Sequence, residues 1–81
     1  MSPEEQLTEL SKDICASLWV DPANFDDLVA RNFLHNRSHE GIDRILWGLE
    51  TKKWVYQRGE VYFTYKSTVL NHLQEYELDV D

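Results

Sequence analysis

Leu7, Leu10, Ile14 and Leu18 recur at helical spacing near the start of the chain, with polar residues filling most positions between them. A single apolar stripe of this kind predicts an amphipathic helix over residues 3–18. Ser2 is placed as its N-cap and Pro3 as its first residue, and Glu5 completes a capping box. The residue before a proline prefers extended geometry, so Asp21-Pro22 predicts a break over residues 18–21 with a short strand in it. Asp21 or Asn24 then caps a second helix, whose buried face is Phe25, Leu28, Val29 and Phe33. His35-Asn36-Arg37 is a polar break. Ser38 reads as the N-cap of a third helix over residues 39–53, where Ile42, Ile45, Leu46 and Leu49 fall at i, i+3, i+4 and i+7.

After the third helix the period changes. Residues 54–57 and 61–65 are rich in aromatic and β-branched side chains and predict two strands. With Arg58-Gly59 as the loop, Tyr56 faces Val61 and Trp54 faces Phe63. Trp54, Tyr56, Val61, Phe63 and Tyr65 then share the face that covers the helices, and Val55 and Tyr62 point outward. A bulged loop with Gly59 at positive φ fits the sequence equally well. A last helix over residues 67–76 carries Val69, Leu70, Leu73 and Tyr76 on one face. The reading is one α+β domain over residues 1–76: three helices, a two-stranded hairpin and a short C-terminal helix. Residues 77–81 form a frayed acidic tail.

This order resembles that of a winged-helix (winged helix-turn-helix) domain, from Leu7 to about Leu73. The sharpest part is residues 38–56, where a helix with paired apolar positions runs directly into a hairpin. Lys53 departs from the pattern, because many relatives place glycine before the first wing strand. The resemblance implies DNA binding or protein docking, since the fold serves both. For a DNA-binding member it implies that the third helix enters the major groove with His39, Glu40, Asp43, Arg44 and Trp47. Arg37, Lys52, Lys53, Arg58 and Lys66 would then contact phosphates.

Composition sharpens this choice. The 81 residues carry 15 Asp and Glu against 8 Lys and Arg, a net charge of −7. Taken whole, that opposes nucleic acid and anionic membranes. Divided along the chain, residues 1–30 hold −6, residues 31–66 hold +3 and residues 67–81 hold −4. Salt screens exposed charges beyond about 8–10 Å, so a partner at the helix and wing meets mainly the local +3. Against DNA, Glu40, Asp43, Arg44 and Trp47 lie opposite the apolar stripe of the third helix. Carboxylates in a groove lined by phosphates are unfavourable unless each accepts from a cytosine amine. An exposed Trp beside an Arg is instead a composition typical of protein interfaces.

Other chemistry is thin. His35 and His39 lie on opposite sides of the Ser38 cap, so they do not share a helix face, and no metal site is expected. The lone Cys15 predicts no disulfide and a reduced, cytoplasmic setting. No apolar run approaches the roughly 20 residues of a membrane span, and the acidic start is unlike a signal peptide. There is no glycine-rich phosphate loop and no nucleophile turn, so no enzyme and no cofactor are expected. Two functions remain. The first is a small regulator that binds duplex DNA through Arg37, His39, Arg44, Lys52, Lys53, Arg58 and Lys66. The alternative is an acidic docking module or inhibitor that holds a protein partner with Glu40, Asp43, Trp47 and Tyr62. The apolar stripes of the first and last helices make a homodimer a further hypothesis.

Overall fold

The computed structural model describes residues 8–80. Helix α1 spans Glu9–Val20, strand β1 Ala23–Asn24, helix α2 Phe25–Val29 and helix α3 His39–Thr51. The hairpin strands β2 (Val55–Arg58) and β3 (Val61–Thr64) follow, then helix α4 (Lys66–His72). Single 3-10 turns at Asn32–Leu34 and Gln74–Tyr76 complete the order. The result is an α+β domain of four helices and a three-stranded antiparallel sheet, a layout compatible with a winged-helix-like arrangement.

Three side-chain caps fix the helix starts. Thr8, Asn24 and Ser38 are each extended, and each accepts a hydrogen bond from the backbone N–H three residues on. Such a cap is worth about 1 kcal/mol. Ser38 and Asn24 match the sequence reading. Thr8 does not: its extended backbone starts α1 at Glu9, and the expected capping box at Ser2, Pro3 and Glu5 lies outside the described residues. Helix α1 also runs two residues past Leu18, so the break falls at Asp21-Pro22 and the short strand is Ala23–Asn24.

The core joins Ile14 and Leu18 of α1, Leu28 of α2, Leu34, Ile42 and Leu46 of α3, Val55 of β2, and Leu73, all buried. Two expected core residues are elsewhere. Phe33 is 40% exposed, because α2 stops at Val29 and the 3-10 turn resets the phase, putting Leu34 inside instead. Leu70 is 50% exposed, because α4 turns Thr68, Val69 and Leu73 inward.

The hairpin corrects the sequence reading most. Strand β3 lies between β1 and β2, paired as Ala23↔Tyr62 and Asn24↔Val61 on one side. On the other side the pairs are Arg58↔Val61, Gln57↔Tyr62, Tyr56↔Phe63 and Val55↔Thr64. The turn is therefore Gly59-Glu60, with Gly59 at φ 64°, and the register is shifted by two residues. A shift of two preserves which side chains share a face, but the covered face is the opposite one. Val55, Tyr62 and Thr64 are buried. Tyr56 instead stacks on Phe63 (5.3 Å between centroids) and lies 4.7 Å from Tyr65 on the outer face. Val55 and Thr64 are small enough to bring the sheet onto α1, where the Thr64 hydroxyl donates to the Cys15 carbonyl at 2.6 Å.

The C-terminal segment packs along α1. Lys12 Nζ pairs with Glu75 at 2.9 Å, Tyr76 donates to Asp13 at 2.5 Å, and the Trp19 indole donates to the Asp79 carbonyl at 2.9 Å. Leu78 and Val80 are partly buried against the core. Among the described residues, no helix is long and apolar enough to cross a membrane.

Candidate docking face

The outward face of α3 is set by its own period. With Ile42, Leu46 and Leu49 inside, His39, Glu40, Asp43, Arg44 and Trp47 are exposed. Trp47 is 68% exposed. Thr51 donates back to the Trp47 carbonyl at 2.8 Å, and Arg44 lies 3.4 Å from Glu40, one turn away. That ion pair is fully solvated and contributes little to stability. His39 meets the Phe25 ring edge-on at 5.9 Å.

Charge is divided across this helix. Asp43 and Glu50 lie toward the hairpin: both act on the Tyr62 hydroxyl, whose pKa is raised first by burial and then by these two carboxylates. Arg37, Arg44 and Lys52 lie on the opposite flank, toward α1. The side of α3 that faces the wing is therefore its acidic side.

Tyr62, one of the four residues expected to touch a protein partner, is only 8% exposed and belongs to the core. The other three, Glu40, Asp43 and Trp47, are at the surface. The expected phosphate contacts Arg37, Lys52, Lys53, Arg58 and Lys66 are all exposed, but they are spread over several elements. Arg37 precedes α3, Lys52 and Lys53 follow it, Arg58 ends β2 at the hairpin turn, and Lys66 opens α4. Arg31, a seventh cation of the locally basic segment, is committed to the fold. It donates to the Ser17 hydroxyl and to the Asp21 carbonyl, the latter at 2.6 Å.

The end of α3 explains the departure at Lys53. Trp54 N–H donates to the Leu49 carbonyl and Lys53 N–H to the Glu50 carbonyl, at 2.9 and 3.0 Å. This is a Schellman cap, and it puts Lys53 at φ 63°, where glycine is usual. The cap also directs Trp54 back along the helix, and Lys52 Nζ lies 5.4 Å from the Trp54 ring centre.

A groove of about 440 Å³ runs between the start of α1 and the flank of α3. Leu10, Ile45, Leu49 and Trp54 form its apolar wall, and Gly48 sits within it. Of these residues, Gly48 carries a signal visible in the sequence, a glycine inside an otherwise regular amphipathic helix. A smaller polar recess of about 190 Å³ lies beyond Trp54, between Lys52, Lys53 and the Ser67, Asn71 and His72 side of α4.

Among the described residues, no group of three His, Cys, Asp or Glu side chains could hold a metal ion. Cys15 is buried, and burial pushes its thiol pKa up to about 12. Comparison with known proteins finds no family model, no curated protein and no solved structure that matches the chain.

Proposed function

We propose that this chain is a non-catalytic docking module that holds a protein partner on the outward face of α3. The observation that carries the reading is Trp47, which offers a large apolar surface to solvent beside Arg44, with Glu40 and Asp43 around it. Tryptophan and arginine are the side chains most enriched among binding hot spots. The acidic flank toward the wing supports the same reading, because a duplex gripped between helix and wing would bring phosphates against Asp43 and Glu50. The lone buried Cys15 suits a reduced, cytoplasmic setting.

The test compares the wild type with Trp47→Ala. The exposed site predicts an unchanged fold by circular dichroism. Recovery of a specific protein from cell extract should fall about tenfold or more. Equal recovery by both forms rejects the reading.

A second reading is duplex DNA bound through α3 and the wing, with His39 and Arg44 at the bases. It is supported by the exposure of Arg37, Lys52, Lys53, Arg58 and Lys66. With about five phosphate contacts, log affinity should fall against log salt with a slope of about −4 to −5. Absence of binding at about 50 mM salt rejects it.

A further inference from the structure

We infer that the groove between α1 and α3 receives the apolar side chains of an acidic amphipathic helix of the partner. The floor and rim of the groove differ in chemistry. Leu10, Ile45, Leu49 and Trp54 are half-buried or buried and form the apolar wall, while Arg37, Arg44 and Lys52 stand around it. Thr8 and Ser11 are its remaining polar lining, and no carboxylate lines it among the described residues. In a protein of net charge −7, this local arrangement matches an acidic occupant with apolar anchors.

Gly48 supplies an independent observation. Among the described residues, a Cβ built on it would meet nothing within 4 Å, so none of them requires glycine there by packing or close backbone approach. Glycine weakens a helix interior relative to alanine, so the fold loses stability at this position with no close contact among the described residues in return. Gly48 lines the groove, and its missing side chain leaves that part of the wall open. Lys52 lies over the Trp54 ring, which places its ammonium group at one end of the apolar wall.

The walls also select the form of the occupant. They belong to α1 and α3 and to the residues just past the end of α3, and among the described residues no strand lines the groove. A segment seated there must satisfy its own backbone hydrogen bonds, and an amphipathic helix does so while presenting anchors on one face. Its flanking Glu or Asp side chains would meet Arg37, Arg44 and Lys52. The exposed Glu40 pairs with Arg44 at 3.4 Å, a solvated contact that an incoming carboxylate can replace.

The inference rests on the protein-docking reading and can fail without it. The probe is a fluorescein-labelled peptide of about 14 residues, with Leu at i, i+3, i+4 and i+7 and Glu at flanking positions. It is titrated against the full chain while anisotropy and the Trp54 indole N–H resonance are followed. Saturable binding is expected, weakened about tenfold or more when the peptide's Glu residues are replaced by Lys. Gly48→Leu should weaken binding by a similar factor. Gly48→Ala should raise Tm by about 4 °C, which separates an occupied groove from a damaged fold. Gln57→Ala, on the exposed hairpin and outside the groove, should leave peptide affinity within about twofold.

Three results would overturn the inference: no saturable binding up to about 1 mM peptide, unchanged affinity in Gly48→Leu, or equal binding of the Lys-substituted peptide. So would a shift of the Trp54 indole by duplex DNA and not by peptide. If Gly48→Leu binds as the wild type does while Trp47→Ala still loses the cellular partner, the groove is rejected and the docking face stands.

Discussion

The Thr64 hydroxyl donates to the Cys15 carbonyl at 2.6 Å, joining residues 49 apart in the chain and fixing the sheet against α1. Both residues are buried. Thr64→Val keeps the shape and removes the bond, so it should lower stability by about 1 kcal/mol. Urea unfolding checks this. A midpoint unchanged from wild type would mean that packing alone sets the spacing between sheet and helix.

Lys53 holds a left-handed conformation that glycine adopts without strain. Lys53→Gly should therefore stabilise the domain by about 0.5–1 kcal/mol, the relief of backbone strain exceeding the added freedom of the unfolded chain. The expected observation is a higher urea midpoint with an unchanged slope. A lower midpoint would show that the Lys53 side chain contributes more than its backbone costs.

Burial moves the Cys15 thiol from 9.0 to about 12 in the folded chain. Between those values the unfolded state has released a proton that the folded state still holds. The contribution is therefore complete below about pH 9 and is lost as pH rises toward 12, by at most about 1.4 kcal/mol per pH unit. The raised Tyr76 and Tyr62 hydroxyls act in the same direction as pH rises above their ordinary value of 10.0. Stability measured between about pH 8 and 11 should fall less steeply in Cys15→Ala than in the wild type. Parallel curves would exclude Cys15 as a source.

Tyr62 belongs to the core, so its substitution reports on folding and not on binding. Tyr62→Ala should cost about 3–4 kcal/mol, in the range for large-to-small core changes. Tyr62→Phe, with the ring retained, should bind any partner of α3 as the wild type does. A partner lost in a well-folded Tyr62→Phe would return this residue to the interface.

Part of the apolar stripes that suggested a homodimer is used within one chain: Ile14, Leu18 and Val69 are buried, whereas Leu70 is exposed. Helices α1 and α4 pack together, closed by the Lys12–Glu75 pair and the Tyr76–Asp13 bond. Sedimentation should give a mass near 9.6 kDa. A species of twice that mass would point to a pairing surface such as the exposed Leu70 of α4 or the stacked Tyr56 and Phe63.

Much of the fold is legible in local sequence. The spacing of Ile42, Leu46 and Leu49 fixes the inner face of α3, and with it the exposure of Glu40, Asp43 and Trp47. Asn24 and Ser38 mark helix starts because their side chains can reach an amide three residues on. Alternation in the hairpin separates Trp54, Tyr56 and Phe63 from Val55, Tyr62 and Thr64, but both sets include apolar residues. Which set is covered depends on how closely α1 can approach, and that is a long-range steric fact. Phe33 and Leu70 mislead for a related reason, since each follows a periodicity that the chain breaks or rotates. The groove beside α3 needs the relative placement of two helices, so of its features Gly48 alone stands out in the sequence.

Strand β3 is held by β1 on one edge, by β2 on the other and by Thr64 from beneath. Because β1 pairs with Val61 and Tyr62, next to the Gly59-Glu60 turn, the hairpin is joined to the body of the domain near its tip as well as at its base.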